Sequence, residues 1–159
     1  MRDFFPTIYL WFENLYGRNL SEYLWGFDCA TQDFSNPLVY NQAGLFMLFS
    51  TLIMALLYYY AINHPRLNRW RHWLVALLTT SVINLIFAGG WVYSDFINDV
   101  IGDCLMYTRD GNNNIVSQLI YPSNCWMFGI ANAIVSAGFF VIFSFICKWG
   151  SRNCKYSPF

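Results

Sequence analysis

Hydrophobic and polar positions along this chain separate into three long uncharged runs and a set of polar connectors. Leu38–Ile62 reads LVYNQAGLFMLFSTLIMALLYYYAI, residues 73–94 read WLVALLTTSVINLIFAGGWVYS, and residues 125–147 read CWMFGIANAIVSAGFFVIFSFIC. Each reaches the roughly 20 residues a helix needs to cross about 30 Å of hydrocarbon. Only a helix closes its own backbone hydrogen bonds over such a length, and the alternation of a barrel strand is missing. The pattern predicts an all-α integral membrane protein: a small bundle of three transmembrane helices over 38–62, 73–94 and 125–147.

The ends of the chain divide differently. Over residues 4–27 a helical projection places Phe5, Tyr9, Phe12, Tyr16, Leu20, Tyr23 and Phe27 on one face, and Asn14, Arg18 and Glu22 on another. That amphipathic division predicts a helix lying in the membrane interface. The competing expectation is a fourth span, which the charges disfavour: a central charge costs about 2.5–3.5 kcal/mol on insertion, and a large apolar residue returns only about 0.3–0.6. Between the second and third runs, over 95–124, two short apolar segments flank RDGNNN. An Asp-Gly, Asn-rich turn between such segments predicts a β-hairpin.

Composition agrees with lipid as the solvent. The 159 residues are 57% hydrophobic, 21% aromatic and 11% charged, whereas soluble domains carry about 25% charge. A soluble chain of this length lacks the interior to hide so much apolar surface. The formal net charge is zero, so the basic footprint of nucleic-acid binding is lacking. No cleavable signal peptide is expected, because Asp3, Glu13 and Glu22 interrupt a start without a basic cluster.

Charge position sets the expected topology. Arg66, Arg69 and Arg71 fill the 63–72 connector without an acid, and Lys148, Arg152 and Lys155 fill the 148–159 tail likewise; the 95–124 connector holds Asp95, Asp99, Asp103 and Asp110 against Arg109. Basic connectors stay in the cytoplasm, so both basic stretches belong inside and the C-terminus is cytoplasmic, in a plasma (inner) membrane. Tyr58–Tyr60, Trp70, Trp73 and Trp149 would then ring the inner face, and Trp91, Tyr93 and Trp126 the outer one.

Candidate chemistry is sparse. No Asp, Glu, Lys, Arg or His lies inside the three runs, and intramembrane ionisable residues mark most proton relays and coupled transporters. Phosphate-loop, nucleophile-elbow and zinc-protease motifs are absent from the sequence. His64 and His72 have no metal-ligand spacing around them. Neither an enzyme nor a cofactor or metal is expected.

What remains is packing. Gly129, Ala133 and Ala137 recur every four residues, a smooth ridge along which another helix can approach. Asn84, with Thr80 on its face, should turn inward near the level of Ser50, Thr51 and Ser136, and Asn132 should do the same nearer the outer surface. Cys29, Cys104 and Cys125 fall on the outer side; a Cys104–Cys125 disulfide would close the hairpin, with Cys29 as a competitor for either partner. These features lead to a non-enzymatic accessory or structural subunit in a lipid bilayer, associating with further copies or other membrane subunits. The alternative is a homo-oligomeric pore or membrane-perturbing effector lined by Asn84, Ser136 and Thr80.

Overall fold

A computed structural model describes residues 4–62, 70–111 and 114–150. Three short helices open the chain: α1 (Phe4–Leu10), α2 (Glu13–Tyr16) and α3 (Arg18–Leu24). The first long helix, α4 (Val39–Leu56), runs on into a π-helical turn, Leu57–Ile62. Then come α5 (Trp70–Ile97), a single turn α6 (Asp103–Met106), strands β1 (Tyr107–Arg109) and β2 (Ile115–Gln118), and α7 (Pro122–Gly150).

Three helical stretches are long and apolar enough to cross a membrane: Val39–Tyr60, Trp70–Ile97 and Pro122–Trp149. The second and third extend past the uncharged runs, because a helix does not stop where its hydrophobicity does. At 28 residues each they reach about 42 Å at 1.5 Å per residue. Their outward faces are apolar: Phe49, Ile53, Val75, Leu78, Ile86 and Ile146 are all exposed.

Helices α5 and α7 form the tightest pair, and glycine is the reason. A methyl group on Gly129 would sit 2.8 Å from the Leu85 carbonyl oxygen and 3.1 Å from the Gly89 Cα. The two backbones meet there with no room for a side chain. Gly129 is thus used inside the chain; Ala133 and Ala137 are half-buried on the same helix. The ridge expected to receive another molecule has at this position been taken by the chain's own α5.

The N-terminal segment departs from the expected single helix. It bends after Leu10 and again at Gly17, whose φ of +89° is a conformation other residues rarely adopt. None of its helices exceeds seven residues, far short of a span. The apolar face is nevertheless the one that packs: Phe5, Tyr9, Tyr16, Leu20 and Leu24 are buried in the main core with Tyr40, Ala43, Met47, Ala88 and Phe128. The bends let one stripe follow a curved surface that a straight helix could touch only at one point. Phe5 lies on Gly44, where an added Cβ would fall 2.3 Å from its ring.

The hairpin forms as two antiparallel strands, pairing Tyr107 with Gln118, Thr108 with Ser117 and Arg109 with Ile115 across a bulge. It is shorter than the two apolar segments, LMYT and IVSQLIY, that flank the turn. Leu105 and Met106 instead turn into α6 and are buried, since burial in the core outweighs their part in a two-stranded ladder. A second, smaller core lies at the opposite end of the bundle: Ala55, Tyr58, Tyr59, Trp73, Phe140 and Cys147. There the Trp73 indole donates to Ser144 Oγ at 3.1 Å.

Candidate functional site

Two features hold the molecule's chemistry: a buried polar chain where the N-terminal segment meets the bundle, and a cap above it. The polar chain begins at Ser21 on α3. Ser21 Oγ lies 2.9 Å from the Tyr40 hydroxyl, which lies 2.8 Å from that of Tyr16, and Tyr16 donates to the Tyr9 carbonyl at 2.9 Å. A phenol has one proton to give. With Tyr16's spent on Tyr9, Tyr40 must donate to Tyr16 and Ser21 to Tyr40. The direction of the whole relay follows from that one bond.

Tyr9 continues the chain into the bundle, donating its hydroxyl to Asn132 Oδ1. Asn132 Nδ2 donates in turn to the Asn84 carbonyl at 2.9 Å. Asn84 accepts from Ser50 Oγ at 2.8 Å through Oδ1 and donates through Nδ2 to the Thr80 carbonyl at 3.0 Å and Thr51 Oγ1 at 3.4 Å. These bonds join α1, α4, α5 and α7 at one level. Thr80 and Ser136 contribute less, because each hydroxyl bonds its own helix, to Ala76 O at 2.8 Å and Ala133 O at 2.9 Å. Asn84, Asn132, Thr51, Thr80 and Ser136 are all buried within the one chain.

Rings pack around the polar chain. Tyr9 stacks on Tyr40 with centroids 5.5 Å apart, and Tyr16 meets Phe128 edge-on at 5.5 Å. Pattern reading had no means of finding these tyrosines: their apolar bodies fit an amphipathic face, and their hydroxyl partners lie far away in sequence. The available signal was Tyr40, a polar tip in the first turn of an otherwise apolar run.

The cap is tied by a disulfide between Cys29 and Cys104, with a Cα–Cα separation of 5.9 Å. This corrects the expected Cys104–Cys125 pairing: Cys125 is a buried free thiol on α7, and Cys29, the competitor, takes Cys104. Its loop brings it there. Gly26 at φ +83° starts a reversal closed by Asn36 N–H donating to the Gly26 carbonyl at 3.1 Å, and by a bridge between Asp28 and Asp33. Gly102 leaves room for the sulfur; a Cβ there would fall 2.3 Å from Cys29 Sγ. On a non-reducing gel, Cys29→Ser and Cys104→Ser should each abolish the mobility shift caused by reductant. Cys125→Ser should keep it, and the reverse result would return the staple to Cys104–Cys125.

Polar ties fasten the N-terminal segment beneath the cap to the bundle. Tyr23 donates to Asp95 Oδ2 at 2.8 Å, and Asn124 Nδ2 donates to the Tyr16 carbonyl at 2.8 Å. Burial, and then the Asp95 carboxylate beside it, push the Tyr23 phenol above its usual value. Arg109 pairs with Asp103 at 3.0 Å, joining hairpin to α6. The acidic connector is therefore partly spent on internal contacts.

At the opposite end, Arg71 is exposed near the start of α5 and Lys148 half-buried near the end of α7. Arg66, Arg69, Arg152, Lys155 and Cys154 lie outside the described residues. Among the described residues no group of His, Cys, Asp and Glu is placed to hold a metal ion.

On its upper surface the cap leaves β2 uncovered, with Ile115 57% and Val116 65% exposed. Adjacent strand residues point to opposite faces, so β2 offers apolar side chains on both. Comparison with protein families, with curated proteins and with solved structures found no match.

Proposed function

We propose that this is a non-enzymatic multi-pass membrane protein, an accessory or structural subunit that meets its partner through the disulfide-tied cap. Its basic connector and C-terminus face the cytoplasm, and the cap faces outward, where a disulfide persists. The observation that carries the reading is the contrast between the two features above. The polar chain from Ser21 through Tyr9 and Asn132 to Asn84 is bonded within one chain, whereas the cap holds an uncovered apolar strand on a disulfide-tied base.

That contrast also weighs against the pore. Asn84, Ser136 and Thr80 would have to face a water path between copies, and all three are buried inside a single copy. In planar bilayers the purified protein is expected to carry no current.

The test of the leading reading is assembly size in mild detergent extracts of the native membrane. The wild-type chain should migrate in a complex larger than itself. Ile115→Lys with Val116→Lys, which leaves every buried residue in place, should return it to the free form. A wild-type chain that already migrates alone, or a doubly substituted chain that stays in the complex, removes the cap from the role.

A further inference from the structure

Among the described residues the N-terminal segment thickens the molecule in one leaflet, and from this we infer that the protein concentrates in membranes curved outward on its cap side. The inference rests on reading α4, α5 and α7 as membrane spans.

Depth comes from two contacts. Phe5 sits on Gly44 in the second turn of α4, and Tyr9 bonds Asn132 in the third turn of α7. Ten residues of helix separate Asn132 from Pro122, about 15 Å. Helix α1 therefore lies beside the cap-side halves of α4 and α7, below the cap and not on top of it. The bundle's other end is built from the π-turn, the start of α5 and the end of α7.

The outer side of this segment is mostly apolar where it is deepest, with Thr7 the one polar residue among its exposed positions on α1. Phe4, Leu10 and Leu15 are exposed, and Trp11 is 80% exposed. Leu45 and Phe46, next to the Gly44 on which Phe5 rests, are exposed as well, so the surface continues the lipid-facing side of α4. Toward α3 the exposed residues become polar, with Asn14 and Arg18 facing out. A gradient from apolar to polar along a segment is that of chain rising from acyl tails to headgroups, and an amphipathic indole favours that boundary. The occupant of this face is the cap-side leaflet.

Among the described residues the cap-side leaflet holds three helices plus α1–α3 and the opposite leaflet three helices, so the cap-side leaflet gives up more area. Bending toward the crowded side relieves the difference, which is why elements seated in one leaflet are sensitive to curvature.

The test draws tubes from giant vesicles containing the full-length protein, labelled on the cap. Molecules whose cap faces the convex side should show a tube-to-vesicle density ratio above unity, and those inserted the other way a ratio below it. Leu10→Gln, Trp11→Gln and Leu15→Gln together alter exposed positions only; by drawing the segment toward the headgroups they should move both ratios closer to unity. Quenching by brominated lipid supplies a second readout: Trp11→Phe should lower the quenchable fraction of the fluorescence. Ratios equal in both orientations, or quenching unaffected by Trp11→Phe, overturn the inference. Protein left in the aqueous phase without detergent would instead sink the span reading beneath it.

Discussion

Replacing Asn132 with leucine should loosen the N-terminal segment from the bundle while leaving the three long helices formed. Leucine has a similar volume, so no large cavity follows. The loss is in hydrogen bonding: the fully buried Tyr9 hydroxyl loses its acceptor and the Asn84 carbonyl loses a donor. An orphaned buried polar group costs about 1–3 kcal/mol. Bonds between membrane helices average nearer 0.6 kcal/mol, because the separated helices also find partners. On the span reading Tyr9 belongs to a segment that rises to the headgroups, and once undocked its hydroxyl finds headgroup and water partners there, so the larger figure applies. Titrating detergent-solubilised protein with SDS would measure it. Tyr9→Phe removes the orphan, so the double variant should be less destabilised than the sum of the two singles. Strict additivity would show that this bond does not hold the segment down.

Gly129→Leu should be more damaging, and the neighbouring glycines of the two helices supply its controls. Nothing lies within 4 Å of a Cβ added at Gly138 or Gly90. Leucine at Gly138 points outward and should be neutral or mildly stabilising, since glycine is the poorer helix former by about 1 kcal/mol. At Gly129 the obstruction is the backbone of α5, which cannot turn aside as a flexible side chain would. Overpacking by a few methylene groups costs about 1–3 kcal/mol; a whole leucine against backbone should exceed that range and separate α5 from α7. The same titration, with Gly129→Leu and Gly138→Leu side by side, checks this. Similar midpoints for the two would mean that the close approach at Gly89 and Gly129 does not hold the pair together.

Both expectations turn on contacts that no stretch of sequence displays. Hydrophobicity and length were enough to locate three apolar helices and, with the Asp-Gly turn, the hairpin. These properties are local: a run of uncharged residues favours oil wherever its neighbours lie, and a turn residue acts on the backbone beside it. The inward bias of Asn84 belongs here too, since an amide on an apolar helix is costly to leave unpaired. The same reasoning picked the apolar face of the N-terminal segment, because burial follows the stripe even where the helix breaks.

Partner choice was beyond its reach. Cys104 had two candidates, and the reversal at Gly26 decided between them by bringing Cys29 to within 5.9 Å between Cα atoms. Small residues at 129, 133 and 137 announce that something approaches closely, but whether it is another molecule or the chain's own α5 depends on how the loops return. Tyr9, Tyr16 and Tyr40 read as apolar bodies until their hydroxyls are seen end to end. The amino-acid order by itself determined which segments leave water and which face each of them hides. Tertiary structure alone decided what each hidden group meets, because hydrogen bonds, disulfides and backbone contacts act over a few ångströms between residues far apart in the chain.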